Sequence, residues 1–199
     1  MVQLMVNLPS TNKKSFSEKD EYYTPRILAE AILPYVSKDK IVWCPWDTEG
    51  SEFVRMFREN GNKVMFSHIW CGQDFLTYEP DEPYDCIVSN PPFTKKIEVF
   101  DRLYKLGKPF AVLCGLPILN YQEIGSFFLD KDLQLLIVDK KVSFDGKTAS
   151  FNNSFFCRNM LPRDLMFCHL EHNNSGINYV PSHMYEEEIE GKEAGSLWG

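Results

Sequence analysis

The stretch Tyr84-Asp85-Cys86-Ile87-Val88-Ser89-Asn90-Pro91-Pro92-Phe93 constrains the fold of this chain most strongly. Cys86 to Val88 reads as a buried strand, because apolar and β-branched residues favour that conformation. Pro91 and Pro92 then end it, since neither can donate to a ladder and both have a fixed φ. The product is a rigid elbow at the carboxyl end of a strand. In an open α/β sheet that edge is where ligands bind.

The elbow has a chemical use. The exocyclic amine of adenine is a poor nucleophile, since its lone pair is delocalised into the ring. The Asn90 side-chain oxygen and the Pro91 carbonyl are both acceptors. Held rigidly, they can take the two amine hydrogens and draw the nitrogen toward a tetrahedral form with an available lone pair. A proline at position 92 suits this role by limiting where the preceding carbonyl points. Phe93 can stack on the face of the base, a contact worth roughly 1–3 kcal/mol. The attacking step then needs no general base. The bland alternative is a turn that merely follows a strand.

Ser89-Asn90-Pro91-Pro92-Phe93, after an Asp-Cys-Ile-Val strand, resembles the catalytic motif of S-adenosylmethionine-dependent amino-methyltransferases, [D/N/S]-P-P-[Y/F/W]. The chain is most similar to small phage- or prophage-type adenine N6 methyltransferases and to EcoRI-type adenine methylases. The resemblance covers about residues 20–170. It implies a Rossmann-like three-layer α/β fold, with a mostly parallel seven-stranded sheet and one antiparallel strand. It also implies S-adenosylmethionine as cofactor.

The remaining motifs fall in order along the chain. Thr24 and Pro25 read as the N-cap and first residue of an amphipathic helix, Arg26 to Val36. By the resemblance, Tyr23, Thr24 and Pro25 line the cofactor pocket at its methionine end. Lys40 to Trp46 reads as the first core strand. A turn then leads into a helix from Glu52 to Asn60, capped by Gly61. In the family this turn reads Asp-Pro-Phe-x-Gly-x-Gly. Here Pro45, Trp46 and Gly50 match, Cys44 replaces the Asp and Thr48 replaces the first Gly. Asp47 or Glu49 is then expected to supply the missing carboxylate, so Pro45, Trp46, Asp47 and Gly50 are assigned to the cofactor. A second strand, Lys63 to Ile69, ends in Ser67-His68-Ile69 rather than in an acidic residue. Asp74 and Phe75 follow, and by the resemblance accept from the cofactor's adenine amine and pack on its ring.

Beyond the elbow, Lys95 and Lys96 are candidates for backbone phosphate, or a plain solvated pair. A helix from about Ile97 to Leu106 follows, then strands at Phe110 to Cys114 and Leu133 to Val138. Asp145-Gly146 is a hairpin-turn signal. The resemblance places Lys141, Phe144, Phe151 and Ser154 around the target base, although an ordinary hairpin with core phenylalanines fits the same pattern. Leu165 to Leu170 reads as the last strand.

Length and charge bound the rest. The chain has 199 residues, enough for one domain, and 44% hydrophobic residues with fifteen Phe suffice for a full core. The organisation expected is a flexible arm over 1–19, the methyltransferase domain over 20–172 and an acidic, flexible tail over 173–199. Neither a membrane-spanning run nor a signal peptide is evident, so a cytoplasmic protein is expected. Six cysteines without C-x-x-C spacing read as reduced thiols. Cys168, His169 and His172 have no specific zinc spacing, and no metal is expected.

Net charge is −7, and the five glutamates of 181–199 against Lys192 account for −4 of it, leaving −3 elsewhere. That is low for a tight non-specific nucleic-acid binder. It keeps RNA adenine and protein glutamine open as alternative substrates to DNA adenine. The degenerate turn likewise leaves open an inactive methyltransferase-like binding module. A separate target-recognition domain of ordinary size does not fit this length, so site choice is expected from loops, from a specificity partner or from a second subunit in a homodimer.

Overall fold

The computed structural model describes residues 24–92, 94–142, 144, 152–173 and 176–180. Tyr23, Phe93, Phe151, the Asp145-Gly146 turn, the arm over 1–19 and positions 181–199 lie outside the described residues.

Among the described residues, eight strands form one sheet in the order β2-β1-β3-β4-β6-β5-β7-β8. They are β1 Ile41–Cys44, β2 Lys63–Phe66, β3 Cys86–Ser89, β4 Phe110–Gly115, β5 Gln134–Val138, β6 Asn153–Arg158, β7 Leu165–Asn173 and β8 Gly176–Val180. The α-helices among the described residues are α1 Arg26–Glu30, α2 Glu52–Asn60, α3 Lys96–Leu106 and α4 Gln122–Phe128. Across β1 to β7 every pairing is parallel except those of β6 with β4 and β5. This is the expected Rossmann-like arrangement. β8, antiparallel to β7, adds an eighth strand.

The sheet has an apolar layer on each face. On one, Ile27 and Leu28 of α1 and Phe53, Val54, Met56 and Phe57 of α2 pack with Cys44, Val88, Leu113 and Phe155. On the other, Val99, Phe100 and Leu103 of α3 and Ile124 of α4 pack with Trp43, Ile87, Val112 and Phe156. Each large side chain buried this way contributes roughly 1.5–3 kcal/mol before entropy is counted. Strand register follows from polar ties as well. The backbone N–H of Ile41 donates to Asp85 Oδ2 at 2.7 Å, aligning β1 with β3. Asn62 Nδ2 donates to the carbonyls of Ser37 and Lys40, at 2.9 and 3.0 Å, and so holds the entry to β1.

Several expected boundaries move. α1 stops at Glu30, and residues 33–35 form a 3₁₀ turn, because the ring of Pro34 denies the helix a donor. The helix cap is also different. Pro25 occupies the N-cap position and no side chain caps the helix, so Thr24 is not its cap. β1 ends at Cys44 rather than Trp46, where the chain turns toward α2, and β2 ends at Phe66. β7 runs on to Asn173 and pairs with β8, so Leu165 to Leu170 is not the last strand and 176–180 belong to the sheet. By contrast, α2 has its expected ends, with Gly61 at φ 98° accepting the left-handed exit.

Candidate functional site: a crevice at the switch point

Strand order creates the site. β1 leads through α2 to β2 on one side, and the chain then crosses back to place β3 on the other side of β1. The reversal leaves a crevice outside the carboxyl ends of β1 and β3, the position where open α/β sheets bind ligands. Two turns meet there, Pro45 to Gly50 after β1 and Asn90-Pro91-Pro92 after β3.

Their side chains are tied together. Ser89 Oγ, fully buried at the end of β3, donates to Asp47 Oδ2 in the turn after β1. Ser51 also bonds to the Asp47 side chain. Its hydroxyl accepts from the Thr48 N–H at 2.9 Å, which sets the path into α2. Asp47 itself is 7% exposed. Burial pushes its carboxyl up to about 6, and the hydroxyl hydrogen bonds only partly offset this. Among the described residues no cation compensates it. A buried carboxylate held by hydroxyls alone is a complement for a cationic ligand.

Asn90 is half-buried, and its Nδ2 donates to Thr24 Oγ1 at 3.2 Å. Thr24, 8% exposed, thus serves the elbow instead of the helix end. With Nδ2 engaged, Oδ1 is the part of the amide left to accept from a ligand. Pro91 is buried and Pro92 half-buried. No cis peptide is needed to make this corner among the described residues.

The other residues that the sequence assigns to a cofactor divide. Pro45 is buried, and its carbonyl accepts from Ser67 Oγ at 3.3 Å. Gly50 has open space where a Cβ would be, with nothing within 4 Å. Asp74 turns back on its own loop, its Oδ1 accepting from Leu76 N–H at 3.0 Å. Phe75 is only 1% exposed, with its ring 4.4 Å from Trp46 and 5.5 Å from Trp43. Half-buried Trp46 is therefore the ring of this cluster with surface to offer. His68 accepts from the Trp70 N–H at 3.2 Å, and burial lowers its pKa.

Lys95, Lys141 and Ser154 reach the same edge of the sheet. Lys95 is exposed and left-handed at φ 56°, between the elbow and α3. Lys96 opens α3 half-buried. β5 is antiparallel to β6, which is antiparallel to β4, so Lys141, exposed past the end of β5, leaves from the edge that carries Asn90. Phe144 packs half-buried against the layer under α1 and α2. Ser154 is fully buried with no partner for its hydroxyl among the described residues. The carboxyl ends of β3 and β5 are three strand spacings apart, about 14 Å. The crevice residues thus form one tight group with Lys141 farther along the same edge, whereas Phe144 lies in the layer under α1 and α2 and Ser154, next to Phe155, faces the opposite layer.

Two residues that tie Asp47 in place escape a reading of the sequence. Ser89 looks like one more strand residue, and only its place before the elbow marks it. Ser51 looks like a helix start.

The strand order and helices define a Rossmann-like α/β protein, with the two turns meeting at its switch point. No protein-family model matches the chain. The chain is 29% identical over 91 residues to the type II methyltransferase M.EcoRI of Escherichia coli, a match that covers 42% of this chain and 28% of that protein. It is similar in structure to a precorrin-6y C5,15-methyltransferase from Geobacter metallireducens, with a TM-score of 0.41 and 13% identity over 66% of this chain and 85% of that one. A predicted O-methyltransferase from Agrobacterium tumefaciens gives a TM-score of 0.41 and 11% identity, over 84% and 96% of the two chains. The chain thus spans less than a third of the length of M.EcoRI, and the likeness lies within a 91-residue segment.

Proposed function

We propose that this chain transfers a methyl group from S-adenosylmethionine to the exocyclic N6 amine of adenine in nucleic acid, with DNA as the preferred substrate. The observation that carries this is the Asn90-Pro91-Pro92 elbow, set at the switch-point crevice with its Asn90 amide fixed by Thr24. The partial match to M.EcoRI agrees with it.

The residues present fit the cofactor. S-adenosylmethionine is cationic at its sulfonium and amino groups, and Asp47 offers a buried carboxylate that no cation among the described residues compensates. The space over Gly50 suits a closely approaching ligand. Trp46 offers an aromatic face, and Thr24 and Pro25 close the methionine end. Tyr23, Asp74 and Phe75 complete the set that the family resemblance assigns to this cofactor. Bound there, it supplies an electrophilic methyl group.

The chain's own residues do the rest. Asn90 Oδ1 and the Pro91 carbonyl accept the two amine hydrogens, so the nitrogen lone pair leaves conjugation with the ring. Thr24 keeps the amide from rotating. Phe93, Phe144 and Phe151 stack on or flank the base, while Lys95, Lys96 and Lys141 meet phosphates and Ser154 lies by the pocket. A homodimer or a separate partner would supply further sequence choice.

Calorimetry with S-adenosylmethionine tests the cofactor assignment, and an absence of binding would leave only a methyltransferase-like module. A tritiated-methyl assay on DNA, RNA and protein then selects the substrate. The acidic net charge of −7 is what makes the RNA and protein arms worth running.

A further inference from the structure

A second asparagine lies at the ligand edge. Asn153, the first residue of β6, is 4% exposed, and its Nδ2 is buried with no hydrogen-bond partner among the described residues. Native folds retain few such groups, because a buried unpaired donor is costly. β6 is antiparallel to β4 and sets Asn153 opposite Gly115, beyond the last paired residues of β3. Strand alternation puts Asn153 on the face of Phe155, in the layer that holds Val88 and α1. Asn90, two residues past Val88, turns to the same side to reach Thr24.

Asn90 and Asn153 therefore share one edge and one face, with β4 between their strands. Two strand spacings are about 10 Å between backbones, so an asparagine side chain reaching in from each side leaves room between them for the amine-bearing edge of a purine. The intervening residue is Gly115, where an added Cβ would lie 3.9 Å from the Pro117 ring, an ordinary contact.

We propose that Asn153 Nδ2 donates to a ring nitrogen beside the amine of the target adenine, while Asn90 and Pro91 hold the amine. This rests on the adenine reading above. Adenine carries an acceptor nitrogen next to its amine, the pairing that an asparagine amide can read. Guanine presents a carbonyl where adenine has its amine, and so meets the acceptors of the elbow unfavourably. Asn153 is in this account a specificity-determining residue, and its unpaired donor is kept for the substrate.

The test compares wild type, Asn153→Leu and Asn153→Asp on unmethylated amplicons made with adenine, 7-deazaadenine or 1-deazaadenine. Asn153→Leu should bind S-adenosylmethionine as wild type does and melt no lower, since it removes an unpaired donor. Its kcat/KM on adenine DNA should fall about tenfold or more. Asn153→Asp, which replaces the donor by an acceptor, should lose at least as much. One deaza analogue should cost wild type a similar factor yet cost Asn153→Leu nothing further. Equal sensitivity of both enzymes to both analogues would overturn the proposal. So would a variant whose loss lies in S-adenosylmethionine affinity. Failure of wild type to bind S-adenosylmethionine or to methylate adenine DNA is a different result, and it would remove the underlying reading.

Discussion

Ser89 donates its hydroxyl hydrogen to the carboxylate of Asp47, linking the last residue of β3 to the turn after β1. The bond joins the strand that carries the elbow to the turn assigned to the cofactor. A shift in either turn is therefore felt in the other.

Asp47 makes stability depend on pH in a direction opposite to that of most carboxylates. Its folded-state pKa, about 6, lies above the unfolded value. The contribution is fully present below the unfolded pKa, near 4, and is lost as pH rises through 6. The difference is on the order of 3 kcal/mol. Urea unfolding across pH 4 to 7.5 should show a component of stability falling over this window in wild type and missing in Asp47→Asn. Identical pH profiles would place Asp47 outside this role.

Cofactor binding should show the reciprocal effect. A cation beside Asp47 favours its ionised form, so binding below pH 6 releases a proton. Affinity for S-adenosylmethionine, measured by calorimetry, should fall by up to about tenfold per pH unit as pH drops below 6. In Asp47→Asn the affinity should be weak and flat over the same range. A pH-independent wild-type affinity would contradict a contact with Asp47.

Gly50 separates ligand space from folding space. A methyl group there meets nothing within 4 Å and no left-handed φ is involved. Gly50→Ala should therefore leave the melting temperature within about a degree or two, consistent with a surface change of under ~0.5 kcal/mol. Affinity for S-adenosylmethionine should fall about tenfold or more. Unchanged affinity would mean that the ligand does not approach this turn.

Thr24 tests orientation of the elbow. Its hydroxyl accepts from Asn90 Nδ2 at 3.2 Å, a neutral bond worth about 1 kcal/mol. Thr24→Val should lower kcat several-fold, as Asn90 loses its fixed rotamer, and Thr24→Ser should restore it. Equal rates in the two variants would show that Asn90 is held by something else.

What the sequence disclosed and what it hid divide along the range of the interactions. Asn90-Pro91-Pro92 is local chemistry, and proline ends a strand whatever surrounds it. The stripe Phe53, Met56 and Phe57 with Gly61 behind it is equally local, and α2 has its expected ends. Thr24 was misread as a cap because its true partner is 66 residues away in the chain. The Asp47–Ser89 bond spans 42 residues, and neither residue announces the other. Phe75 reads as a ring offered to a ligand, yet Trp43 and Trp46 enclose it, which only packing reveals. The turn formers Asn173, Asn174, Ser175 and Gly176 mask β8 in the sequence, and pairing with β7 makes 176–180 a strand.

Methyl transfer by wild type and Asn90→Ala, compared at saturating S-adenosylmethionine on unmethylated DNA, addresses the central claim. With cofactor affinity retained, removing the acceptor should cost on the order of 10²-fold or more in kcat, as for other groups aimed at a reacting centre. Transfer by Asn90→Ala at the wild-type rate would show that the elbow does not prepare the amine.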